Sequence, residues 1–291
     1  MARLTTFPQP ELVDMNHLFF ARSNCVAFLL LFVCSPCWAQ GIFPDKALED
    51  AVRKEVFAKR YNKEPITKDD VRNISQVHAK GKEIKDLTGL EHCVAVQEID
   101  LENNNIKDVS QLAGLKLLQS INLAGNEIED ISPLADLERV QYLELSRNDV
   151  TDVSALQKMT NMRSLYLSDN TIEDIKVVEN LPKVWTLYLA DNPVKDFTPV
   201  GSLKWLSSCD LRDCRIKDLS FLKPLTELKY LNLKENRLRD LGVLVEMAKG
   251  DKGQRFAPFW RIYLKGNPMG GKTEEQLATL RDIGARIHLD K

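Results

Sequence analysis

The sequence has few cysteines, and their spacing excludes two common ways of stabilising a small fold. Six cysteines occur among 291 residues, and the first three are Cys25, Cys34 and Cys37. The other three are Cys93, Cys209 and Cys214, an odd number without a CxxC pair. This pattern provides neither a disulfide framework nor a zinc site. We therefore interpret the last three cysteines as structural residues that pack in the core.

Histidines and catalytic motifs are also scarce. The four histidines are His17, His78, His92 and His288, and none belongs to an HExxH motif. The chain has no GxSxG nucleophile elbow, and its cysteines and histidines are not spaced like a Cys–His–Asn triad. The sequence therefore predicts a protein that is not an enzyme and that holds no metal and no cofactor.

An excess of charge of one sign is missing as well. The chain has 40 basic and 42 acidic side chains, which gives a formal net charge of −2. Nucleic-acid-binding proteins usually show a basic excess or a basic stripe. We therefore expect no nucleic-acid partner.

Long hydrophobic segments are absent except for one near the amino terminus. Ten apolar residues, CVAFLLLFVC, follow Arg22 and precede SPCWAQ. A membrane-spanning helix needs about 20 apolar residues, whereas a shorter apolar core followed by small residues is typical of a secretory signal peptide. We interpret residues 1–39 as a signal peptide cleaved after Ala39, so that the chain is secreted or periplasmic and has no membrane span. Translation from Met1 or from Met15 stays open, because Glu11 and Asp14 make residues 1–14 a poor basic region.

The chain does contain a repeat of 22 residues. The stretch IDLENNNIKDV begins at Ile99, and INLAGNEIEDI begins at Ile121. A degenerate copy precedes them and a copy displaced by nine residues ends the series; the other starts are Val77, Leu143, Leu165, Leu187, Cys209, Leu231 and Ile262. The pattern LxLxxNxI at this spacing is the leucine-rich repeat. These nine copies predict an α/β solenoid, a horseshoe with a parallel concave β-sheet and 3₁₀ or irregular segments on its convex side.

One polar position recurs inside this pattern. Ile99 and Leu101 alternate along a short strand and point into the core, and the polar residue follows where the chain turns. We expect its side chain to be buried and to bond the backbone of neighbouring copies, so that the series forms a structural ladder. Its members are Asn104, Asn126, Asn148, Asn170, Asn192, Cys214, Asn236 and Asn267.

Helices are predicted at both ends, because a solenoid must cover the apolar surface of its terminal repeats. Residues 40–76 form a helical N-terminal cap: Asp45 starts one helix, and a Thr67–Asp70 capping box starts a second helix through Val71 and Ile74. Residues 77–268 hold the repeats, with an insertion at 248–259. Residues 269–291 form a small C-terminal cap, with a helix from Thr273 to Ile283.

These motifs resemble a known family. The run FPDKALEDAVRKEV, then ITKDDV, then EIKDLTGLEHC, and then repeats reading LxLxxNxIxDIxxL are similar to the internalin-type leucine-rich repeat proteins of bacteria. The resemblance covers residues 42 to about 245. It implies an exported, curved protein-binding module without enzymatic activity.

Two further patterns each allow a structural interpretation and a ligand-binding interpretation. Residues 266–273 match GxxxxGK[ST], the phosphate-binding loop, but Asn267 already occupies a repeat position. Aspartate also recurs every 22 residues, and such a series could bind calcium or could accept backbone N–H bonds in each turn. Turn capping is the interpretation we favour, for the series Asp86, Asp108, Asp130, Asp152, Asp174, Asp196, Asp218 and Asp240.

The outward positions of the concave sheet form the predicted binding surface. They include five tyrosines, a residue type that is favoured at protein interfaces. Packing among neighbouring strands is the alternative explanation. Trp185 and Trp260 precede strands, and we interpret them as buried. The predicted binding residues are Tyr142, Tyr166, Tyr188, Tyr230, Tyr263, Glu144, Asp210, Arg212, Lys234 and Arg261.

Charge along this surface is predicted to change from acidic to basic, which would orient a partner. The acidic residues are Glu98, Asp100, Glu102, Glu127 and Glu144, and the basic ones are Arg212, Lys234, Arg237, Arg261 and Lys265.

The predicted function is an exported, monomeric module that binds a protein or peptide on its concave sheet. One alternative is a structural or matrix repeat protein without a discrete ligand. Another is an intracellular regulator of a phosphatase-like enzyme. Exposed concave tyrosines favour the first over the second, and the apolar leader argues against the third.

Overall fold

A computed structural model describes residues 41–290 of the chain. The predicted signal peptide of residues 1–39 and the choice between Met1 and Met15 therefore lie outside the described residues. Among residues 41–290, no helix is both long and apolar enough to cross a membrane.

Ten short parallel strands form one sheet in the order of the sequence. Each strand has three residues, and the buried residue at its centre, such as Ile99, is followed two positions later by a second buried residue, such as Leu101. Each strand pairs in register with the equivalent strand of the next copy, so that Ile99 lies beside Ile121 and Ile121 beside Leu143. The strands are β1 (Gln76–His78), β2 (Glu98–Asp100), β3 (Ser120–Asn122), β4 (Tyr142–Glu144), β5 (Ser164–Tyr166), β6 (Thr186–Tyr188), β7 (Ser208–Asp210), β8 (Tyr230–Asn232), β9 (Arg261–Tyr263) and β10 (Arg286–His288). This is the leucine-rich repeat horseshoe that the sequence predicted.

The chain returns along the convex side through 3₁₀ turns. Ser110–Leu112 and Ser154–Lys158 are two of them, and each buries a leucine in the core. Leu112, Leu115 and Leu118 are fully buried in one copy. Since no copy can bury its own apolar side, the core runs through the stack of neighbours.

The segment that returns from β8 to β9 differs from the earlier ones. It carries α3 (Gly242–Gly250), an α-helix in place of a 3₁₀ turn. The insertion then folds back so that Phe256 meets Trp260 edge-on, with ring centroids 5.2 Å apart. Trp260 has no exposed surface, as predicted, but Trp185 is 50% exposed, so that its predicted burial is wrong.

The N-terminal helix α1 (Lys46–Glu55) is joined to the first repeat by its cap. Asp45 Oδ1 accepts the N–H groups of Ala47 and Leu48 at 3.0 and 3.1 Å, and Oδ2 accepts the N–H of Lys85 at 3.0 Å. One side chain thus starts the helix and fixes it to the solenoid.

The second helix, α2 (Lys68–Val71), has the predicted capping box at Thr67 and Asp70. It ends at Val71 and does not continue through Ile74, because the chain must turn there to begin β1 at Gln76. At the other end, α4 (Thr273–Asp282) buries Leu277 and Leu280. The chain then adds β10 to the sheet beside β9.

Candidate binding face of the sheet

A continuous aromatic stripe crosses the outward face of the sheet. Neighbouring ring centroids are 5.4 Å apart for Tyr142 and Tyr166, 5.0 Å for Tyr166 and Tyr188, 6.3 Å for Tyr188 and Tyr230, and 5.3 Å for Tyr230 and Tyr263. All five tyrosines are half-buried. We call this set the tyrosine stripe.

The stripe crosses β7 although that strand contributes no aromatic residue. Small Ser208 leaves room for the rings of Tyr188 and Tyr230 to approach each other above it. The hydroxyls of Tyr188 and Ser208 lie 3.2 Å apart, within hydrogen-bonding distance. At its far end the stripe continues to His288, whose ring stacks on Tyr263 at 4.4 Å. Sequence analysis missed His288, because β10 lies outside the repeat register.

Three hydroxyls of the stripe have a raised pKa. Burial raises the pKa of Tyr142 and of Tyr230 to about 12, with nearby carboxylates adding to the effect. Burial also raises the pKa of Tyr166. Each of these phenols therefore offers a ring edge and a neutral hydroxyl that can donate or accept a hydrogen bond.

Asp210 does not lie on the accessible face, contrary to its placement among the binding residues. It is 8% exposed and accepts a hydrogen bond from Asn232 Nδ2 at 3.0 Å and another from the N–H of Arg212 at 3.0 Å. Asp210 thus holds the turn after β7.

Two other predicted residues are engaged within the fold. Glu144 accepts the N–H of Ser146 at 2.8 Å, and Arg212 forms an ion pair with Asp191 at 2.9 Å. Both are half-buried on this face. The charge of Arg212 is compensated by Asp191, and the carboxylate of Glu144 is directed into the turn after β4.

The remaining predicted cations lie against the stripe. Lys234 Nζ is 5.3 Å from the ring centroid of Tyr263, and the guanidinium of Arg261 is 5.9 Å from that of Tyr230. Within residues 41–290, neither cation forms an ion pair with a carboxylate. These contacts are cation–π geometries, which hold the charges in place without neutralising them.

Charge pairing changes the predicted gradient. The acidic end is compensated in part: Glu102 pairs with Lys80 at 2.6 Å and with Arg147 at 3.4 Å, and Glu127 pairs with Lys107 at 3.2 Å. Among residues 41–290, Asp100 and Glu144 form no ion pair at this end. The basic end has four cations without an ion pair in the same range, namely Lys234, Arg261 and the exposed Lys265 and Arg286.

The ladder side chains use their amides fully. Asn126 Nδ2 donates to the carbonyls of Leu123 and Leu101 at 2.8 and 3.1 Å, while its Oδ1 accepts the N–H of Ile106 at 3.1 Å. Equivalent donor bonds are made by Asn104, Asn148, Asn170, Asn192, Asn236 and Asn267. At the sixth ladder position, Cys214 Sγ lies 3.3 Å from the Leu189 carbonyl. Burial raises the pKa of Cys214 to about 12, so that the thiol stays neutral.

The recurrent aspartates have the geometry of turn caps. In each of the eight copies, one carboxylate oxygen accepts the N–H two residues later, as Asp130 does from Ser132 at 2.7 Å. In the part of the chain that the structure describes, no three His, Cys, Asp or Glu side chains lie close enough to hold a metal ion.

The loop of residues 266–273 also serves the fold. The N–H of Gly270 donates to the Arg239 carbonyl at 3.1 Å, and Thr273 is buried. Asn267 donates to the carbonyls of Leu233 and Leu264 at 2.8 and 2.9 Å. The N–H of Gly270 and the amide of Asn267 are thus committed to the last repeat, and the hydroxyl of Thr273 is buried.

Comparisons with known proteins agree with this architecture. A family model described as leucine-rich repeats in two copies matches residues 94–136 and 138–183. No curated protein matches the chain. Among solved structures, internalin C2 from Listeria monocytogenes is 23% identical with a TM-score of 0.62, over 86% of this chain and 95% of that one.

Two further structures have the same fold over smaller shares. A leucine-rich repeat protein from Leptospira interrogans is 21% identical with a TM-score of 0.59, over 69% of this chain and 56% of that one. The ectodomain of a plant membrane receptor kinase from Arabidopsis thaliana, in complex with Casparian strip integrity factor 2, is 21% identical with a TM-score of 0.53, over 62% of this chain and 23% of that one. The chain therefore has the leucine-rich repeat fold that these structures share.

Proposed function

We propose that the chain is an exported, non-catalytic module that binds a protein or peptide through the tyrosine stripe on its concave sheet. The observation that carries this proposal is the stripe itself, five half-buried rings in mutual contact across β4 to β9. Rigid tyrosines provide a large contact area at a small entropic cost, and their neutral hydroxyls add specificity.

Two other observations support the proposal. Among the structures with this fold, the plant receptor ectodomain is seen in complex with another molecule, Casparian strip integrity factor 2. The apolar leader of residues 25–34 supports export. Neighbouring tyrosines that only stabilise the sheet would fit the structural or matrix alternative, so the two functions must be separated by experiment.

The test is a capture experiment with the chain from Gln40 onward and a variant with Tyr142, Tyr166 and Tyr188 changed to Ala. The matched control changes three exposed aromatic residues outside the sheet face, Phe57, Tyr61 and Phe259. Circular dichroism first establishes that all three chains fold alike. We expect a partner that the native chain and the control retain and that the stripe variant loses. Retention by the stripe variant would contradict the assignment, and the absence of any partner would favour the structural alternative.

The basic end of the face adds a prediction about the charge of the partner. Uncompensated cations attract an acidic partner and raise its association rate, an effect that salt screens over about 8 Å at physiological ionic strength. The captured partner should therefore associate more slowly as salt is added, and Arg261→Glu should reduce this dependence. A rate indifferent to ionic strength would remove electrostatic steering from the proposal.

A further inference from the structure

Two exposed tryptophans lie beside the sheet, at the ends where β6 and β7 begin. Trp185 is 50% exposed and Trp205 is 65% exposed, although large aromatic side chains are usually mostly buried. Together with Ser207 between them, they line a shallow hollow of about 330 Å³. We call it the tryptophan hollow.

The repeat itself does not require tryptophan at either position. Trp185 directly precedes its strand, and three earlier copies have glutamine there: Gln97, Gln119 and Gln141. Trp205 lies three residues before its strand, where the two preceding copies have Lys183 and Asn161. Polar residues therefore satisfy the solenoid at both positions, and the two indoles are exposed without a structural need.

One other copy shows what a tryptophan at this position can contact. Trp260 precedes β9 as Trp185 precedes β6, but Trp260 is completely buried. Its cover is Phe256 from the insertion, with ring centroids 5.2 Å apart in an edge-on arrangement. Edge-on contact is one of the favoured arrangements of two aromatic rings. The Trp185 position is thus an aromatic platform that, within residues 41–290, no such ring covers.

The indole of Trp185 is already held in place. Its Nε1 donates to Ser164 Oγ at 3.1 Å, and the guanidinium of Arg163 lies 5.8 Å from its ring centroid. An anchor fixed before binding loses little entropy when a partner covers it. The platform is therefore prepared for an incoming ring.

The charge around the hollow is positive. Arg163, Lys183 and Lys229 line it, and none of them forms an ion pair among the described residues 41–290. Lys183 Nζ donates to the neutral amide oxygen of Asn161 at 2.7 Å, which leaves its charge uncompensated. The one carboxylate of the lining, Glu227, pairs with Arg255 at 3.2 Å.

We propose that the tryptophan hollow docks an acidic segment of a partner protein, which places an aromatic side chain against Trp185 and Trp205. The exposed indoles, together with the contact between Phe256 and Trp260 in another copy, favour an aromatic ring as the occupant. The three cations favour carboxylates on either side of that ring. The hollow has seven lining residues, whereas a whole interface takes about 20–30 residues per partner, so that it serves as an anchor point. This inference does not depend on the tyrosine stripe.

The probe is a capped peptide of sequence DEFED, compared with DEAED, which lacks the ring, and KRFRK, which reverses the charge. The readout is the indole N–H signals in two-dimensional NMR, because the chain from Gln40 onward has three tryptophans. We expect DEFED to shift the signals of Trp185 and Trp205 saturably and to leave that of buried Trp260 unchanged, with a dissociation constant below about 1 mM at low salt. DEAED and KRFRK should bind at least about tenfold more weakly, a difference of about 1.4 kcal/mol.

Variants locate the site. Trp205→Ala and Lys229→Glu should each weaken DEFED binding about tenfold, and both residues are exposed, so that folding should be preserved. The control Phe259→Ala, also at an exposed aromatic residue, should leave binding unchanged, as should the triple alanine variant of the tyrosine stripe. Loss of binding in the stripe variant would place the peptide on the concave face and overturn the proposal.

Three results would overturn the assignment of the occupant. One is the absence of shifts with DEFED at about 5 mM, a concentration that would detect even millimolar affinity. Another is equal binding of DEAED or KRFRK. The third is saturation by an acidic oligosaccharide such as tetragalacturonate while DEFED has no effect, which would assign the hollow to a glycan.

Discussion

A single ladder asparagine satisfies several backbone groups at once. Asn148 donates to the carbonyls of Leu145 and Leu123 at 2.9 and 3.0 Å and accepts the N–H of Ile128 at 3.1 Å. All these groups are buried between two copies. Because no water reaches them, the loss of the amide leaves them unpaired, and each unpaired buried group costs about 1–3 kcal/mol.

Asn148→Ala should therefore lower the free energy of unfolding by about 2–3 kcal/mol, or the melting temperature by roughly 5–10 °C. Thermal unfolding followed by circular dichroism measures the change. Asn105→Ala is the matched control, since Asn105 makes only one exposed bond, to Glu127 at 3.3 Å. Equal effects of the two substitutions would show that the ladder bonds contribute nothing specific.

The copy that begins at Cys209 contains a natural variant of the ladder. Asparagines elsewhere accept the N–H twenty residues earlier, as Asn170 does from Val150 and Asn192 from Ile172. Cys214 Sγ reaches the Leu189 and Arg212 carbonyls, and Val194 makes no equivalent bond to it. A thiol is also a weaker partner than an amide.

Cys214→Asn should therefore stabilise the chain, by about 1 kcal/mol or roughly 2–4 °C in melting temperature, because it restores the missing acceptor. Cys214→Ala is the control and should lower the melting temperature. If the asparagine variant melted below the native chain, the copy around Cys214 would have to be shaped for the thiol.

At the scale of the elements, the N-terminal helix depends on the charge of one carboxylate. Burial raises the pKa of Asp45, but hydrogen bonds from the N–H groups of Lys85, Leu48, Asp86 and Ala47 outweigh burial and hold the pKa below its ordinary value. The stabilisation is complete above the unfolded pKa of about 3.9 and is lost as the pH falls through the lower folded pKa.

Asp45→Asn should lower the melting temperature at pH 7, with a loss of about 1–2 kcal/mol, because the amide cannot accept bonds on both sides. The difference between the native chain and the variant should shrink as the pH falls below about 4, where the native carboxylate becomes protonated. Asp50→Asn, on the exposed side of the same helix, is the control. A difference that persisted unchanged at low pH would mean that the charge of Asp45 is irrelevant to the docking of α1.

The sequence predicts the elements that repeat and also the cap helices α1 and α4, which their capping residues and apolar positions indicate. The 22-residue register alone predicts β2 to β8, since each strand must lie beside its equivalent in the next copy. The early end of α2 at Val71, the helix α3 and the added strand β10 each occur once, and their geometry depends on how the chain ends fit the stack. A single occurrence has no periodicity from which to infer it.

At the scale of the whole molecule, the sites were only partly predictable for a related reason. Alternation places the tyrosines on the outward face, and the structure has them there. Compensation of the acidic end depends on contacts across repeats: Lys80 reaches Glu102 from one copy away, and Arg147 reaches it from two copies away. The exposure of Trp185 and the burial of Trp260 likewise depend on whether the insertion covers them, which spacing cannot show.

The continuous core makes a last prediction about the molecule as a unit. Buried side chains run without a break from Val52 in α1 to Leu280 in α4. Repeats of this kind are coupled mainly to their neighbours, and copies too short to bury their own apolar side cannot unfold one at a time without exposing the next. We therefore expect one cooperative transition, in which a probe at the C-terminal end reports the same midpoint as the whole sheet.

The probe is Trp260, made the sole tryptophan after Gln40 by Trp185→Phe and Trp205→Phe, both at exposed positions. Its fluorescence and the circular dichroism of the chain should lose their native values at the same urea concentration, because coincident transitions mark two-state unfolding. Adding Asp45→Asn at the opposite end should move both midpoints together. An earlier fluorescence transition, unmoved by that substitution, would show instead that α3, the insertion and α4 unfold as a separate unit, since nearest-neighbour coupling would then be broken before β9.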